Sequence, residues 1–409
     1  MFRRPPRSTL DRSSAASDVY KRQTRSSIFP ESPALLGLIR FALALAVLLS
    51  HVPGFDWALN PGVVAVICFY CISGYLMRCS YQRFTRLAQT PVRDFIVDRV
   101  LKLFPQYLVV LAITVGLLWL WGASPGFWLM NQQLSPLKLL WNLLLLPANY
   151  VFEPLVISEL LPHPLVPPAW SLATEFHFYL LLPLLYRWRS LFMVMLLATL
   201  AVQIFGFVHE STRFNSDNLG YRYIFGVLPV FLMGYLYADD SGGRRPLAVV
   251  LWLLYLGLAG CAFTDTLIHQ QRAREVLLGA SVALPLLATT MHLRGHAWPG
   301  RIKALDERLG NLAYPIFITH CLGFFIIEHV TGMPVRASAS FVLCAILVCL
   351  LLSMPLEILQ RRLERARIAL RGFASMKTDQ RLDSDTPARI NPVSYTHLRA
   401  HETVLDLVC

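Results

Sequence analysis

The sequence predicts an all-α protein: a polytopic transmembrane helix bundle of about ten spans, with N- and C-termini cytoplasmic. Three observations predict it. First, 55% of the 409 residues are hydrophobic and the mean hydropathy is +0.51, a composition of membrane proteins rather than of soluble domains. Second, ten stretches are long and apolar enough to cross a bilayer: 34–52, 61–77, 102–122, 170–187, 190–208, 221–238, 246–264, 276–292, 312–329 and 338–357. Third, the basic residues alternate between loops in the manner of the positive-inside rule.

Taken in order, the first span holds Arg40 and His51 in LLGLIRFALALAVLLSHV. Between the second and third spans lie Arg78, Arg83, Arg86, Arg93, Arg99 and Lys102, which mark a cytoplasmic loop. The long stretch 123–169 contains one basic residue, Lys138, and reads as external. Within it, Leu139 to Leu146 is too short to span and ends at Pro147, so it reads as a re-entrant or interfacial piece. Arg187 and Arg189, Arg244 and Arg245, and the group Arg294, Arg301, Lys303 and Arg308 then fall on the inner side. Arg272 and Arg274, on a predicted outer loop, run against the pattern. After the last span, 358–392 is a basic cytoplasmic tail, in which 358–373 has the character of an amphipathic helix on the inner leaflet.

The two ends read differently. Ser17 to Gln23, SDVYKRQ, back-translate to TCA GAT GTG TAT AAG AGA CAG, a transposon-end sequencing adapter. Val393 to Thr403, VSYTHLRAHET, back-translate to the same adapter on the opposite strand, continued into its index arm. Residues 1–23 and 393–409 are therefore expected to be adapter-derived and not native, with 24–33 a short cytoplasmic lead-in. His397 and His401, spaced like a metal pair, are set aside with them.

The formal charge of +12 includes six Lys/Arg and two Asp in 1–23, and one Arg, one Glu and one Asp in 393–409, which leaves +9 for the remainder. On a membrane protein that excess belongs to cytoplasmic loops and anionic lipid, so the bilayer is the expected partner and nucleic acid is not. Seven of the eight Cys lie in or beside apolar segments and read as small hydrophobic side chains. Cys68 and Cys71 form a CxxC, but inside a membrane helix, where a redox role is not expected. No residue set suggests a metal, and nothing specifies an oligomeric state.

Chemistry is sought in the ionisable residues inside the spans, because a charge in the bilayer is costly and usually functional. Arg40 and His51 are eleven residues apart, about 1100° of helix rotation, or three turns plus about 20°, so both lie on one face about 16 Å apart along the axis. They mark a polar track from the inner side toward the outer. The plain alternative is a snorkelling Arg and an interfacial His. Glu175, near the outer end of the fourth span, falls at a depth similar to His51 and is a candidate to orient it as a general base. The alternative is a Glu bonded to backbone at a helix start. His177 points to another face and reads as a lining or lipid-interface residue. Arg99 and Lys102, at i and i+3, put two cations on one face beside the inner surface, where they can hold phosphates or simply anchor topology. Tyr314 and His320 form another polar pair inside a span, lining the same cavity or satisfying a neighbouring helix.

Together these pieces resemble the acyltransferase-3 family of bacterial integral-membrane O-acyltransferases. Arg40 and His51 match its Arg-x10-His motif, and Ser73-Gly74 stand in the place of its Phe-x-x-Ser-Gly core. DRVLKLFPQY (98–107) resembles its Arg-x-x-Arg-[Ile/Leu]-x-Pro stretch, with Lys102 replacing the second Arg, which keeps the charge and loses the bidentate geometry. Trp170-Ser171-Leu172-x-x-Glu175 matches its Trp-Ser-Leu-x-x-Glu motif, and LGNLAYPIFITH (309–320) resembles its late Tyr- and His-bearing segment. The resemblance covers nearly all of residues 34–365, of which 34–357 is one transmembrane domain. It implies transfer of an acyl group, acetyl in the simplest case, from acyl coenzyme A as co-substrate, with no permanently bound cofactor. The acceptor implied is a hydroxyl of a glycan or glycolipid at the outer face of the bacterial inner membrane. On that reading His51, Glu175 and Arg40 are catalytic, and Arg99 and Lys102 bind the donor. The competing class is a carrier or flippase that uses the same track without bond chemistry.

Overall fold

The computed structural model describes residues 35–124, 126–150, 164–211, 214–239, 243–296 and 298–383. The adapter-like ends, the lead-in and part of the outer stretch lie outside the described residues. Eleven α-helices follow one another: α1 Leu36–Ser50, α2 Pro61–Leu87, α3 Pro91–Trp121, α4 Pro136–Leu144, α5 Ala169–Arg187, α6 Arg189–Val208, α7 Ile224–Tyr237, α8 Arg245–Phe263, α9 Gln271–His292, α10 Gly300–Thr331 and α11 Ala339–Asp383. A π-helical turn, Ser216–Arg222, leads into α7. There is no β-strand among the described residues. Among the described residues the ten predicted spans are helical, and eight helical stretches are long and apolar enough to cross a membrane.

Several helices run beyond their predicted spans. The third span is predicted to open at residue 102. Instead α3 starts at Pro91, so Pro105 lies in its interior. Only 88–90 separate it from α2, since the basic residues between the two spans continue both helices. A proline inside a membrane helix is tolerated where neighbours satisfy the freed backbone. The last span likewise continues without a break to Asp383. Glu364 and Arg367 of this extension are buried rather than laid on a leaflet, because Arg367 Nε donates to Asp98 Oδ1 of α3 at 2.9 Å. The Leu139–Leu146 piece is the short helix α4, followed by a 3-10 turn at Leu146–Tyr150. It turns Lys138 and Asn142 inward and leaves Leu137, Leu140, Leu143 and Leu144 exposed, as suits a helix partly seated in lipid.

The centre of the bundle is α2, which is buried along most of its length and packs against α1, α3, α5, α7 and α9. Its start is fixed by Pro61 in the first turn and by Asn60, whose Oδ1 accepts from the backbone N–H of Gly62 at 2.8 Å and of Val63 at 3.3 Å. The α2–α7 crossing depends on two glycines. A Cβ on Gly74 would lie 1.9 Å from the carbonyl oxygen of Phe231, and one on Gly234 would lie 1.9 Å from that of Cys71. The backbones touch directly, which only glycine permits. The open end of α1 is also satisfied from outside itself: Leu38 N–H donates to Asp306 Oδ1 of α10 at 2.7 Å.

Gly74→Ala and Gly234→Ala are each expected to destabilise the bundle by about 1–3 kcal/mol or more, since backbone cannot yield as a side chain can. Gly257→Ala and Gly260→Ala in α8, where nothing stands within 4 Å, are expected to be neutral or slightly stabilising. Thermal unfolding of the purified variants in one detergent distinguishes the two pairs.

Candidate functional site

Polar residues line two adjoining spaces along the bundle. The larger, a cavity of about 670 Å³, lies at the end that carries the predicted outer loops. His51 borders it at the C-terminal end of α1, together with Trp57, Trp128, Trp170, Arg222 and Arg272. Its inner recess, of about 80 Å³, continues past His51, Val66, Ser171 and Phe317. Beyond lies an inner chamber of about 100 Å³, lined by Arg40, Ser73, Lys102, Glu175, Tyr179 and Tyr314. Val66, Ser171 and Phe317 belong to both linings and form the waist between the two. Arg40 and His51 thus face the same track from one helix, with the waist between them, as their spacing predicts.

His51 Nδ1 lies 2.8 Å from the carbonyl oxygen of Val47, four residues earlier. A carbonyl only accepts, so Nδ1 carries the hydrogen and the neutral ring keeps its lone pair on Nε2. That tautomer is the one a proton-accepting imidazole needs. The partner expected to orient it, Glu175, is elsewhere. Glu175 Oε1 accepts from Ser73 Oγ at 2.7 Å and from Tyr179 Oη at 2.5 Å, on the far side of the waist. The reason lies in helix geometry. Glu175 is nearly two turns into α5, so it falls level with the middle of α2 rather than with the end of α1. A backbone carbonyl therefore sets the tautomer of His51, and the carboxylate belongs with Arg40 in the inner chamber.

The two cations expected to bind the donor are also separated. Lys102 lines the inner chamber. Arg99 does not. It is fully buried, its Nε donates to Asp98 Oδ2 at 3.0 Å, and Asp98 is shared with Arg367 of α11. One turn of helix is enough to put Lys102 on the chamber side of α3 and Arg99 among α2 and α11. Among the described residues neither Arg40 nor the Lys102 ammonium has a direct ion-pair partner. The single carboxylate in the chamber, Glu175, already accepts two hydroxyl groups. The chamber therefore sets two basic side chains against one carboxylate inside a membrane protein, a setting that favours an anionic ligand.

Residues that the spans did not mark complete the outer cavity. Arg222 Nε donates to Asp217 Oδ2 at 2.7 Å, and its guanidinium lies 4.8 Å from the Trp170 ring centroid. Arg272 pairs with Asp217 at 2.7 Å and with Glu275 at 2.6 Å. Glu275 in turn accepts from Asn60 N–H at 2.9 Å, which ties this arch to the start of α2. Asn149 Nδ2 donates to the carbonyl of Arg222 at 2.8 Å and holds its backbone. Arg272 and Arg274, which run against the charge pattern, are thus internally compensated. Arg274 Nε donates to the Ala262 carbonyl at 3.1 Å, and its guanidinium also meets Asp265. An arginine on the side that should lack them was the readable signal for this arch. His177 is half-buried and within 3.0 Å of Tyr150 Oη, outside both spaces. Tyr314 lines the chamber and donates to the Leu103 carbonyl at 2.9 Å, and His320 stacks obliquely on His51 with centroids 4.8 Å apart.

Comparison with known proteins adds the following. The chain is 32% identical over 173 residues, 40% of its own length and 73% of the other's, to an uncharacterized protein of Aquifex aeolicus (strain VF5). No solved structure matches it. Residues 35–358, from the first described helix to the last span and including both the outer cavity and the inner chamber, match the family model described as an acyltransferase domain. With that match over most of its length, this multi-pass membrane protein belongs to the acyltransferase-3 family.

Proposed function

We propose that the protein is an O-acyltransferase of the bacterial inner membrane. It moves an acyl group, acetyl in the simplest case, from acyl coenzyme A on the cytoplasmic side to a hydroxyl of a glycan or glycolipid at the outer face. The observation that carries this reading is the pair of spaces meeting at Val66, Ser171 and Phe317. A base-bearing cavity on one side and a cation-lined chamber on the other suit a reaction whose two substrates arrive from opposite faces.

The proposed step is direct. The acceptor hydroxyl oxygen bonds to the acyl carbon while its proton passes to His51 Nε2. The carbon–sulfur bond breaks with its electron pair on sulfur, and the departing thiolate takes up the proton, which returns His51 to neutrality. Arg40 stabilises negative charge that develops on the donor side, and Glu175, held by Ser73 and Tyr179, is the carboxylate of the same chamber. Lys102 attracts the donor's anionic groups toward the chamber. Arg99, committed to Asp98, shapes the inner end of α3 and leaves that task to Lys102.

Purified protein in detergent, given acyl coenzyme A labelled in the acyl group and a hydroxyl acceptor, is expected to transfer label and release free thiol. A carrier does neither, and that outcome would overturn the proposal. His51→Ala is expected to abolish transfer at matched expression and unchanged elution; full turnover in this variant removes His51 as the base.

Lys102→Ala is expected to weaken donor binding by about 1.5–3 kcal/mol if the ammonium meets an anionic group directly. Arg99→Ala is expected to act on the fold instead, costing about 3–5 kcal/mol, because it takes one of two arginines from a buried carboxylate. Donor KM and thermal unfolding, measured side by side on both variants, separate these roles. A donor effect confined to Arg99→Ala would reverse the assignment.

A further inference from the structure

We propose that His320 is a positioning residue for His51, one that stabilises the charge His51 acquires when it takes the acceptor's proton. The inference rests on His51 being the base. His320 is fully buried in α10 and lines neither the outer cavity nor the inner chamber. It reaches the reaction only through His51, whose ring lies 4.8 Å away, centroid to centroid, at an interplanar angle of 47°.

The two imidazoles are held alike. His320 Nδ1 lies 2.8 Å from the carbonyl oxygen of Phe317, as His51 Nδ1 does from Val47. Both Nδ1 atoms therefore carry hydrogen, and both rings keep a lone pair on Nε2. In His320 that lone pair is buried and has no hydrogen-bond partner among the described residues. The nearby Phe317 and Phe324 rings, with centroids at 6.3 Å and 6.0 Å, offer no polar hydrogen. An orphaned buried acceptor is costly in any resting protein, and an apolar side chain of similar volume would avoid the cost. It becomes useful if a positive charge appears beside it.

His51 supplies that charge once per turnover. As the acceptor O–H bond breaks and the oxygen–acyl bond forms, His51 becomes an imidazolium with hydrogen on both nitrogens. Nδ1–H stays with Val47, and the lone pair and dipole of neutral His320 stabilise the new cation. The proton remains on His51 until the departing thiolate removes it, so His320 changes neither the stoichiometry nor the route of the proton. Because the interaction is strong only when His51 is charged, it favours the transition state over the bound substrates. Its loss should appear in kcat rather than in KM.

Two substitutions divide acceptor chemistry from packing. His320→Asn keeps an N–H where Nδ1 donates to Phe317 and removes the Nε2 acceptor. His320→Gln extends an amide oxygen toward the Nε2 position. With labelled acyl coenzyme A and one hydroxyl acceptor, His320→Asn is expected to lower kcat about tenfold or more and leave both KM values within twofold. His320→Gln is expected to recover a clear part of that loss.

Equal kcat in His320→Asn and wild type overturns the proposal while the acyl-transfer reading stands. So does an equal loss in the Asn and Gln variants. If His320→Asn fails to accumulate in membranes, wild type is compared with His320→Gln alone. A Gln variant that folds but retains less than a hundredth of wild-type kcat then counts against the proposal. Wild-type protein that transfers no label overturns the acyl-transfer reading and this inference with it.

Discussion

Every charge inside the bundle has to find compensation within the protein, because the bilayer offers none. Most of the structure's polar architecture follows from that constraint. Arg78 meets Asp239 at 3.0 Å, Arg99 and Arg367 share Asp98, and Arg222 and Arg272 share Asp217. These sets also fasten helices that are distant in sequence: α2 to the end of α7, α3 to α11, and the π-turn before α7 to α9. Against this background the inner chamber stands apart. Arg40 and Lys102 face a common space whose one carboxylate is already occupied by two hydroxyl groups. Burying two such cations without counter-ions costs several kcal/mol apiece, an expense a purely structural role would not explain and an anionic ligand would offset.

The positions of the helices were largely readable in the sequence, since hydrophobic length is a direct consequence of bilayer thickness. Their ends were not. Nothing in hydropathy says that α2, α3, α10 and α11 continue past the lipid, because a charged helix emerging into water looks like a loop to a scale that counts only apolar residues. The site was legible where one helix determines it: the Arg40–His51 spacing fixes a shared face whatever surrounds it. It was illegible where depth must be compared between helices. The pairing of Glu175 with His51 required the two residues to be level, but the first residues of α5 are the ones level with His51 and Glu175 lies nearly two turns further in. Arg99 and Lys102 show the same limit, for their shared face on α3 spans a boundary between the chamber and the α11 contact.

Close packing converts this charge pattern into geometry. Direct backbone contact at Gly74 and Gly234 pins α2 to α7, and Gly37 of α1 is set against the backbone of α10 at Asp306, with a Cβ there 1.9 Å from the carbonyl oxygen. The second contact bears on the chemistry. Because α1 and α10 approach so closely, His51 at the far end of α1 is brought against His320 of α10, and the two rings share one buried place. The Leu38–Asp306 hydrogen bond holds the opposite end of the same pair. A helix pair fastened at its inner end and stacked at its outer end limits the freedom of the His51 ring, the preorganisation that the proposed proton transfer requires.

The waist sets what the two spaces can exchange. Its members are Val66, Ser171 and Phe317, two apolar side chains and one hydroxyl whose Oγ donates to the Pro168 carbonyl at 2.9 Å. An opening so lined discriminates against ions, which would surrender their hydration to a valine and a phenylalanine. It tolerates a small neutral group. On the proposed reading, the acyl group and the sulfur that carries it reach the waist beside His51, and the phosphates stay on the side of Lys102 and Arg40. The separation of the base from the cations, which at first looks like a failure to assemble a site, is then what allows a group to pass between two faces of a membrane while the charged portions of both substrates remain on their own sides.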